Sequence, residues 1–313
     1  MRRLILAMQY PTLLRYQYWW WSILPRELRK SFSKVIILGK DYPALNAIKK
    51  ADKGIFVPPQ VAIDFELAQI KEYMSLSLKK DDVLLLTDIS YPGLFANALF
   101  HKRPEKAYAI CHATAKNRYD IFSKQRKSKY GVEKSVAKLF DKVIVASEYH
   151  KRKLGWNNLV VMPLPYPPYL GENDLKYVDI ISVARPGLQK VNKKVEKLLE
   201  RHLGVQVNHI PTNLTSFASY YTYLAYAKVL LITSKEETFG YQVMDALKNN
   251  VIPVAPDCCS YSELLPKEYL YSSQNELENI VKLGINGQLE VPELLCKEQS
   301  LKFYTNLSQL LCQ

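Results

Sequence analysis

Long hydrophobic runs are missing from this chain: no segment approaches the length needed to cross a bilayer, which excludes a transmembrane helix. Met1-Arg2-Arg3-Leu4-Ile5-Leu6-Ala7-Met8 starts basic, but its apolar run is too short for a signal segment and reads as a first strand. Cysteine is sparse. The five present (Cys111, Cys258, Cys259, Cys296, Cys312) have no metal-ligand spacing, so no metal site is expected. An odd number of thiols without a signal segment points to a reducing compartment, hence to a cytoplasmic protein. Internal repeats and low-complexity tracts are absent too.

What is present is globular, 48% hydrophobic and 23% charged, in a chain of 313 residues, long enough for two domains. Negative charge is scarce in one half only. Residues 1–170 hold 29 Lys and Arg against 14 Asp and Glu, a net +15, whereas 171–313 hold 14 against 16, a net −2. The overall excess of +13 therefore belongs to the first half, where it concentrates a polyanion. Nucleic acid and an anionic membrane surface both qualify as partners.

Short apolar runs are predicted as strands near residues 4–8, 35–38, 83–87, 107–111, 143–147 and 159–162, with helix-length segments between most of them. That alternation is the pattern of a doubly wound parallel sheet. Pro163-Leu164-Pro165-Tyr166-Pro167-Pro168 places four prolines in six residues and reads as a stiff connector. A second alternation follows, with strands predicted near 178–183, 205–210, 228–233 and 251–255 and a short one at 269–271. The expected organisation is one Rossmann-like domain over 1–168, a second over 169–290, and a helical tail over 291–313.

In the second half, Glu236-Glu237-Thr238-Phe239-Gly240-Tyr241-Gln242-Val243-Met244-Asp245 lies between a buried strand and a helix. Open α/β sheets bind ligands at the carboxyl ends of their strands, where a helix N-terminus offers backbone N–H groups to phosphate. Carboxylates there suit the hydroxyls of a sugar or ribose. The stretch resembles the acidic signature of retaining GT-B glycosyltransferases: a loop Glu, then Phe-Gly, then an acid on the following helix. Asp245 stands where the family usually has Glu and reaches one methylene less far. Ile252-Pro253-Val254-Ala255-Pro256-Asp257 and the segment from Ser260 to Pro266 look like the family's next strand and loop. Arg185 and Lys190, after Ile181-Ser182-Val183-Ala184, are similar to its basic pair on the donor diphosphate.

The resemblance covers residues 178–270 and implies a GT-B fold, with two Rossmann-like domains facing an interdomain cleft and the tail over 291–313 packing back on the first domain. It further implies a nucleoside-diphosphate sugar, in the first place a UDP-sugar, as co-substrate, with no obligatory metal or cofactor and with retention at the anomeric carbon. Glu237 is then expected at the transferred sugar and Asp245 at the ribose. Thr238, Phe239 and Gly240 would present backbone to sugar and phosphate, and Pro211, within His209-Ile210-Pro211-Thr212, would wall the base. His112, at the end of a predicted strand, resembles the family's first-domain His beside the transferred sugar. The family's glycine-rich loop after the first strand is missing here. Arg15-Tyr16-Gln17-Tyr18-Trp19-Trp20-Trp21 stands in its place, either a buried aromatic cluster or a stacking surface.

Asp88, also at a strand end, either accepts a proton from an acceptor hydroxyl or caps the next helix. Lys116 to Lys138 carries eight basic and two acidic residues. Lys116, Arg118, Lys124, Arg126, Lys127 and Lys129 form either a solvated face or a phosphate-gripping element, with Tyr119, Phe122 or Tyr130 able to stack on a base. The acceptor expected first is a hydroxymethylated pyrimidine in DNA, as in phage DNA modification, which would place the enzyme in a host cytoplasm. The Ser260–Pro266 resemblance to enzymes acting on modified tRNA nucleosides points the same way. A peripheral-membrane enzyme with a lipid-linked or cell-wall glycan acceptor is the rival, and a non-catalytic nucleic-acid-binding protein on the same fold is a third.

Overall fold

The computed structural model describes residues 2–11, 16–42, 59–90, 93–119, 126–168, 175–183, 191–211, 214, 216–293 and 298–313. The chain divides into two compact units, Met1–Pro165 with Gln299–Gln313, and Tyr166–Glu298.

The first unit is built on β1 (Arg3–Ala7), α1 (Tyr16–Leu28), β2 (Lys34–Ile37), α2 (Pro59–Ser75), β3 (Val83–Leu86), β4 (Lys106–Ile110), α3 (Arg126–Ala137), β5 (Lys142–Val145), α4 (Glu148–Leu154) and β6 (Leu159–Val161). Its six strands pair in the order β2-β1-β3-β4-β5-β6, all parallel. Leu4, Ile5 and Leu6 of β1 and Leu84 and Leu85 of β3 are completely buried. Central strands covered on both faces read as continuous apolar runs rather than alternating ones, which is why the sequence placed them to within about two residues. Chain order reverses between β1 and β3, the position at which open α/β sheets bind ligands.

The second unit holds β7 (Val178–Ser182), α5 (Lys193–Leu203), β8 (Val207–His209), α6 (Phe217–Ala225), β9 (Ala227–Leu231), α7 (Tyr241–Lys248), β10 (Ile252–Pro256), α8 (Tyr261–Leu264), β11 (Leu270–Tyr271) and α9 (Gln274–Ile285). Its parallel order, β11-β10-β9-β7-β8, reverses between β7 and β9. Several helix starts are fixed locally. Ser216 caps α6 by accepting from the Ser219 N–H, and Ser273 with Glu276 forms a reciprocal capping box on α9.

The last helix, α10 (Gln299–Cys312), returns to the first unit. Phe303, Leu307 and Leu311 are its buried face, at the four-residue spacing of one helical stripe. Phe303 packs on Trp20 at 5.9 Å between ring centroids, and the Arg2 guanidinium donates to the Cys312 carbonyl at 2.6 Å. Of the aromatic run in α1, Trp19 and Trp20 are buried core, which settles the two readings of those rings. Trp21 is half-buried and donates from Nε1 to the Gln9 carbonyl at 2.6 Å.

Candidate active site

Three residues meet at the reversal point of the first sheet. Gln9 follows β1, and its side chain donates to one Asp88 oxygen while accepting from Gln17 of α1. The other Asp88 oxygen accepts from the Ser90 N–H at 2.8 Å. Both oxygens are thus committed to holding the loop, the arrangement of an Asx turn. His112 follows β4 and its Nε2 lies 2.9 Å from the Thr87 carbonyl. A carbonyl only accepts, so Nε2 carries a proton. Trp20 packs edge-on to this ring at 5.7 Å, so Trp20 is wedged between His112 and Phe303.

The cationic run is stitched to this end of the sheet. The Glu133 carboxylate on α3 is buried and accepts from the Ala115 N–H at 2.9 Å. The Lys116 ammonium lies over the Tyr130 ring at 5.2 Å, and the Arg118 guanidinium over Tyr119 at 5.6 Å. Tyr130 also stacks on Trp156 at 6.4 Å and donates to the Leu154 carbonyl. Its ring is thus engaged by Lys116 and Trp156 and its hydroxyl by the backbone. Lys129 is half-buried on α3, and Lys134 and Lys138 are exposed. Arg126 and Lys127 lie in the backbone of α3. Their side chains, with Lys124 and Phe122, fall outside the described residues.

In the second unit the reversal between β7 and β9 is bordered by the loop that follows β9. Thr233 and Ser234 are buried there, and Thr233 Oγ accepts from the Asn192 N–H at 2.7 Å. Glu236 is buried, whereas Glu237 is half-exposed with one oxygen accepting from the Thr238 N–H at 3.0 Å. Phe239 is buried, edge-on to Tyr241 at 4.9 Å. Gly240 precedes α7 at φ +102°, and a Cβ there would sit 2.8 Å from Leu264 Cδ1. Only glycine satisfies both the backbone and the contact. Gly240→Ala is expected to cost about 1–3 kcal/mol and to loosen the loop, read by urea denaturation.

Asp245 lies on α7, and its environment was not legible in the sequence. It is buried, with Oδ1 accepting from Tyr221 at 2.8 Å and Oδ2 from Tyr220 at 2.9 Å. Burial pushes its carboxyl from the ordinary 3.8 up to about 7, against the pull of the two phenols. In the first unit, burial likewise raises Glu66 to about 7, although the backbone N–H groups of Phe95, Leu94 and Gly93 favour its anion.

A carboxyl whose folded pKa is raised contributes stability fully below its unfolded pKa and loses it as pH rises through the folded one. Both units are therefore expected to melt lower at pH 8 than at pH 5. Asp245→Asn should flatten the slope of the second unit and Glu66→Gln that of the first, as thermal denaturation across this range will show.

Other features here were missed by the sequence reading. Glu196 of α5 is buried, accepts from Ser182 Oγ at 2.8 Å and lies 3.4 Å from His209 Nε2. This group orients His209 at the end of β8, next to Ile210 and the half-buried Pro211. Arg185 and Lys190 fall outside the described residues. Among the described residues, no group of three His, Cys, Asp or Glu side chains is placed to hold a metal ion, and no helix is long and apolar enough to cross a membrane.

No protein-family model matches the sequence. Solved structures do. The lipopolysaccharide outer core galactosyltransferase WaaB, in its apo form, aligns over 99% of both chains with a TM-score of 0.60 at 13% identity. Sucrose-phosphate synthase from Thermosynechococcus elongatus aligns over 99% of this chain and 98% of its own, with a TM-score of 0.59 at 14% identity. The fold is GT-B. An E. coli trehalose-6-phosphate protein bound with UDP-2-fluoro glucose gives a TM-score of 0.59 at 10% identity, over 99% of this chain and 95% of its own. TarM gives 0.54 at 16% identity over 78% of this chain, which spans 54% of TarM. At such identities the likeness is one of fold. In GT-B terms, the Glu237–Gly240 loop stands at the strand ends of the second Rossmann-like sheet.

Proposed function

We propose that this chain is a glycosyltransferase that moves a hexosyl or pentosyl group from a UDP-sugar to a hydroxyl, with retention of configuration. The observation that carries this is the loop from Glu237 to Gly240. It sits at the reversal point of a parallel sheet and opens a helix, in a chain that matches GT-B enzymes from end to end. The likeness to a protein bound with UDP-2-fluoro glucose supports the choice of donor.

In this mechanism the bond between the anomeric carbon and the diphosphate breaks, and the acceptor oxygen attacks on the same face. The hydroxyl proton passes to the departing phosphate oxygen. Glu237 faces the positive charge developing on the sugar. The N–H groups at the start of α7, with Arg185 and Lys190, take the negative charge developing on the diphosphate. His112 aligns the transferred sugar, and Asp88 holds the loop beside it. Asp245 meets the ribose, its carboxylate held by the Tyr220 hydroxyl.

The cationic half favours an anionic acceptor. A hydroxymethylated pyrimidine in DNA is the first choice on charge; a lipid-linked or cell-wall glycan is the second, favoured by the full-length likeness to a lipopolysaccharide galactosyltransferase.

The deciding experiment incubates the protein with a panel of UDP-sugars and three acceptors: hydroxymethylated DNA, ordinary DNA, and anionic vesicles carrying a glycolipid. Mass spectrometry reads the product. A sugar gained by hydroxymethylated DNA alone supports the first acceptor, and one gained by the glycolipid supports the second. No transfer and no sugar-nucleotide hydrolysis, with salt-sensitive DNA binding retained, would leave a non-catalytic nucleic-acid-binding protein.

A further inference from the structure

Cys258 and Cys259 follow β10 as adjacent thiols, neither in a disulfide, and both are partly accessible. They lie against the loop proposed to hold the donor. Cys259 Sγ is 3.9 Å from the Lys235 carbonyl, and Ser260 Oγ donates to the Glu237 carbonyl at 3.3 Å. The backbone there is tightly turned. The Cys258 N–H bonds back to the Pro256 carbonyl at 2.8 Å, and Cys259 has φ +60°. A non-glycine residue in that region is held by its surroundings at a cost in strain. The same segment carries Tyr261 and Leu264, which pack on Gly240 at the other end of the donor loop. Two sulfurs thus sit on the element that positions both ends of the Glu237–Gly240 turn.

We propose that Cys258 and Cys259 form a dithiol modification site that low-molecular-weight disulfides oxidise reversibly to a vicinal disulfide, loosening the donor loop. The Cys258 thiol is pushed up by its hydrogen bond to Cys259 and by burial, which leaves the attack to Cys259. Its thiolate attacks one sulfur of the oxidant, forming a mixed disulfide and expelling one thiolate. Cys258 then attacks the Cys259 sulfur and expels the second. The two thiol protons end on the two leaving groups, so one oxidant becomes two thiols as the protein loses two hydrogens.

The ring this closes is strained. Adjacent Cα atoms are about 3.8 Å apart, below the roughly 4.4–6.8 Å of relaxed disulfides, so the bond is easily reduced again. Closing it draws Cys259 Sγ from hydrogen-bonding range of Cys258 to bonding distance, which pulls it from the Lys235 carbonyl. Ser260, next in the chain, loses its position beneath Glu237.

The test incubates the full chain with oxidised glutathione and maps the peptide containing both residues by mass. It expects loss of two hydrogens, reversal by dithiothreitol, and faster amide exchange across residues 235–240 in the oxidised form. Cys258→Ser should trap glutathione on Cys259, whereas Cys259→Ser should leave Cys258 unmodified. Stable glutathione on Cys258 in the unaltered protein, or a disulfide that leaves exchange at 235–240 unchanged, would overturn the proposal.

Because the proposal rests on the donor-site reading for its consequence, UDP binding is measured in parallel and is expected to weaken about tenfold on oxidation. UDP binding unchanged by oxidation would overturn that consequence. Failure of the reduced protein to bind UDP would instead count against the donor site, while the mass and exchange results still judge the dithiol.

Discussion

Glu237→Ala is expected to lower sugar transfer by about 10²–10³-fold in kcat, the size of effect seen when one preorganised electrostatic partner of a transition state is removed. The loss should fall on kcat more than on KM for the donor, because the carboxylate matters most once positive charge has developed on the sugar. Glu237→Gln keeps the shape and the bond from the Thr238 N–H but not the charge. Its activity should therefore be close to that of the alanine variant. Stability is expected to change little in either, since Glu237 is half-exposed, unlike its buried neighbour Glu236. Transfer that survives both substitutions would place the chemistry elsewhere.

Trp20→Ala is expected to destabilise the first unit by about 3–5 kcal/mol, the range for deleting a fully buried large aromatic side chain. Trp20 is 1% exposed and touches rings from two distant parts of the chain, His112 after β4 and Phe303 on α10. The cavity would remove the support of the terminal helix and the edge contact that orients the imidazole. Guanidinium denaturation followed by hydrogen exchange should show the loss confined to the first unit, with the amides of 299–312 exchanging fastest. Trp20→Phe keeps part of the contact and should cost less. If α10 stays protected in the alanine variant, the Trp20–Phe303 contact is not what holds it.

The strands were legible because their signal is local. Val83-Leu84-Leu85-Leu86 or Lys142-Val143-Ile144-Val145 announces a buried strand whatever surrounds it. The Glu237–Asp245 spacing was legible for the same reason: a strand, a turn and a helix in succession fix which residues stand at the strand end. Partnerships were not. The sequence offers Asp245 as a carboxylate on the helix, but does not show that Tyr220 and Tyr221 of the preceding helix each donate to one of its oxygens. Nor does the sequence show that Tyr130 packs with Trp156 and Lys116.

By itself, then, the amino-acid order determined the sequence of strands and helices, the unequal division of charge, and the acidic turn that opens α7. Tertiary packing alone decided which side chain each of those groups meets: Trp20 between His112 and Phe303, Glu196 beneath His209, Cys259 against the carbonyl of Lys235. The reason is one of range. Hydrophobic periodicity and turn chemistry act over a few residues. Burial of a carboxyl or a thiol depends on chain segments tens to hundreds of positions away, brought together only when the sheet closes its order.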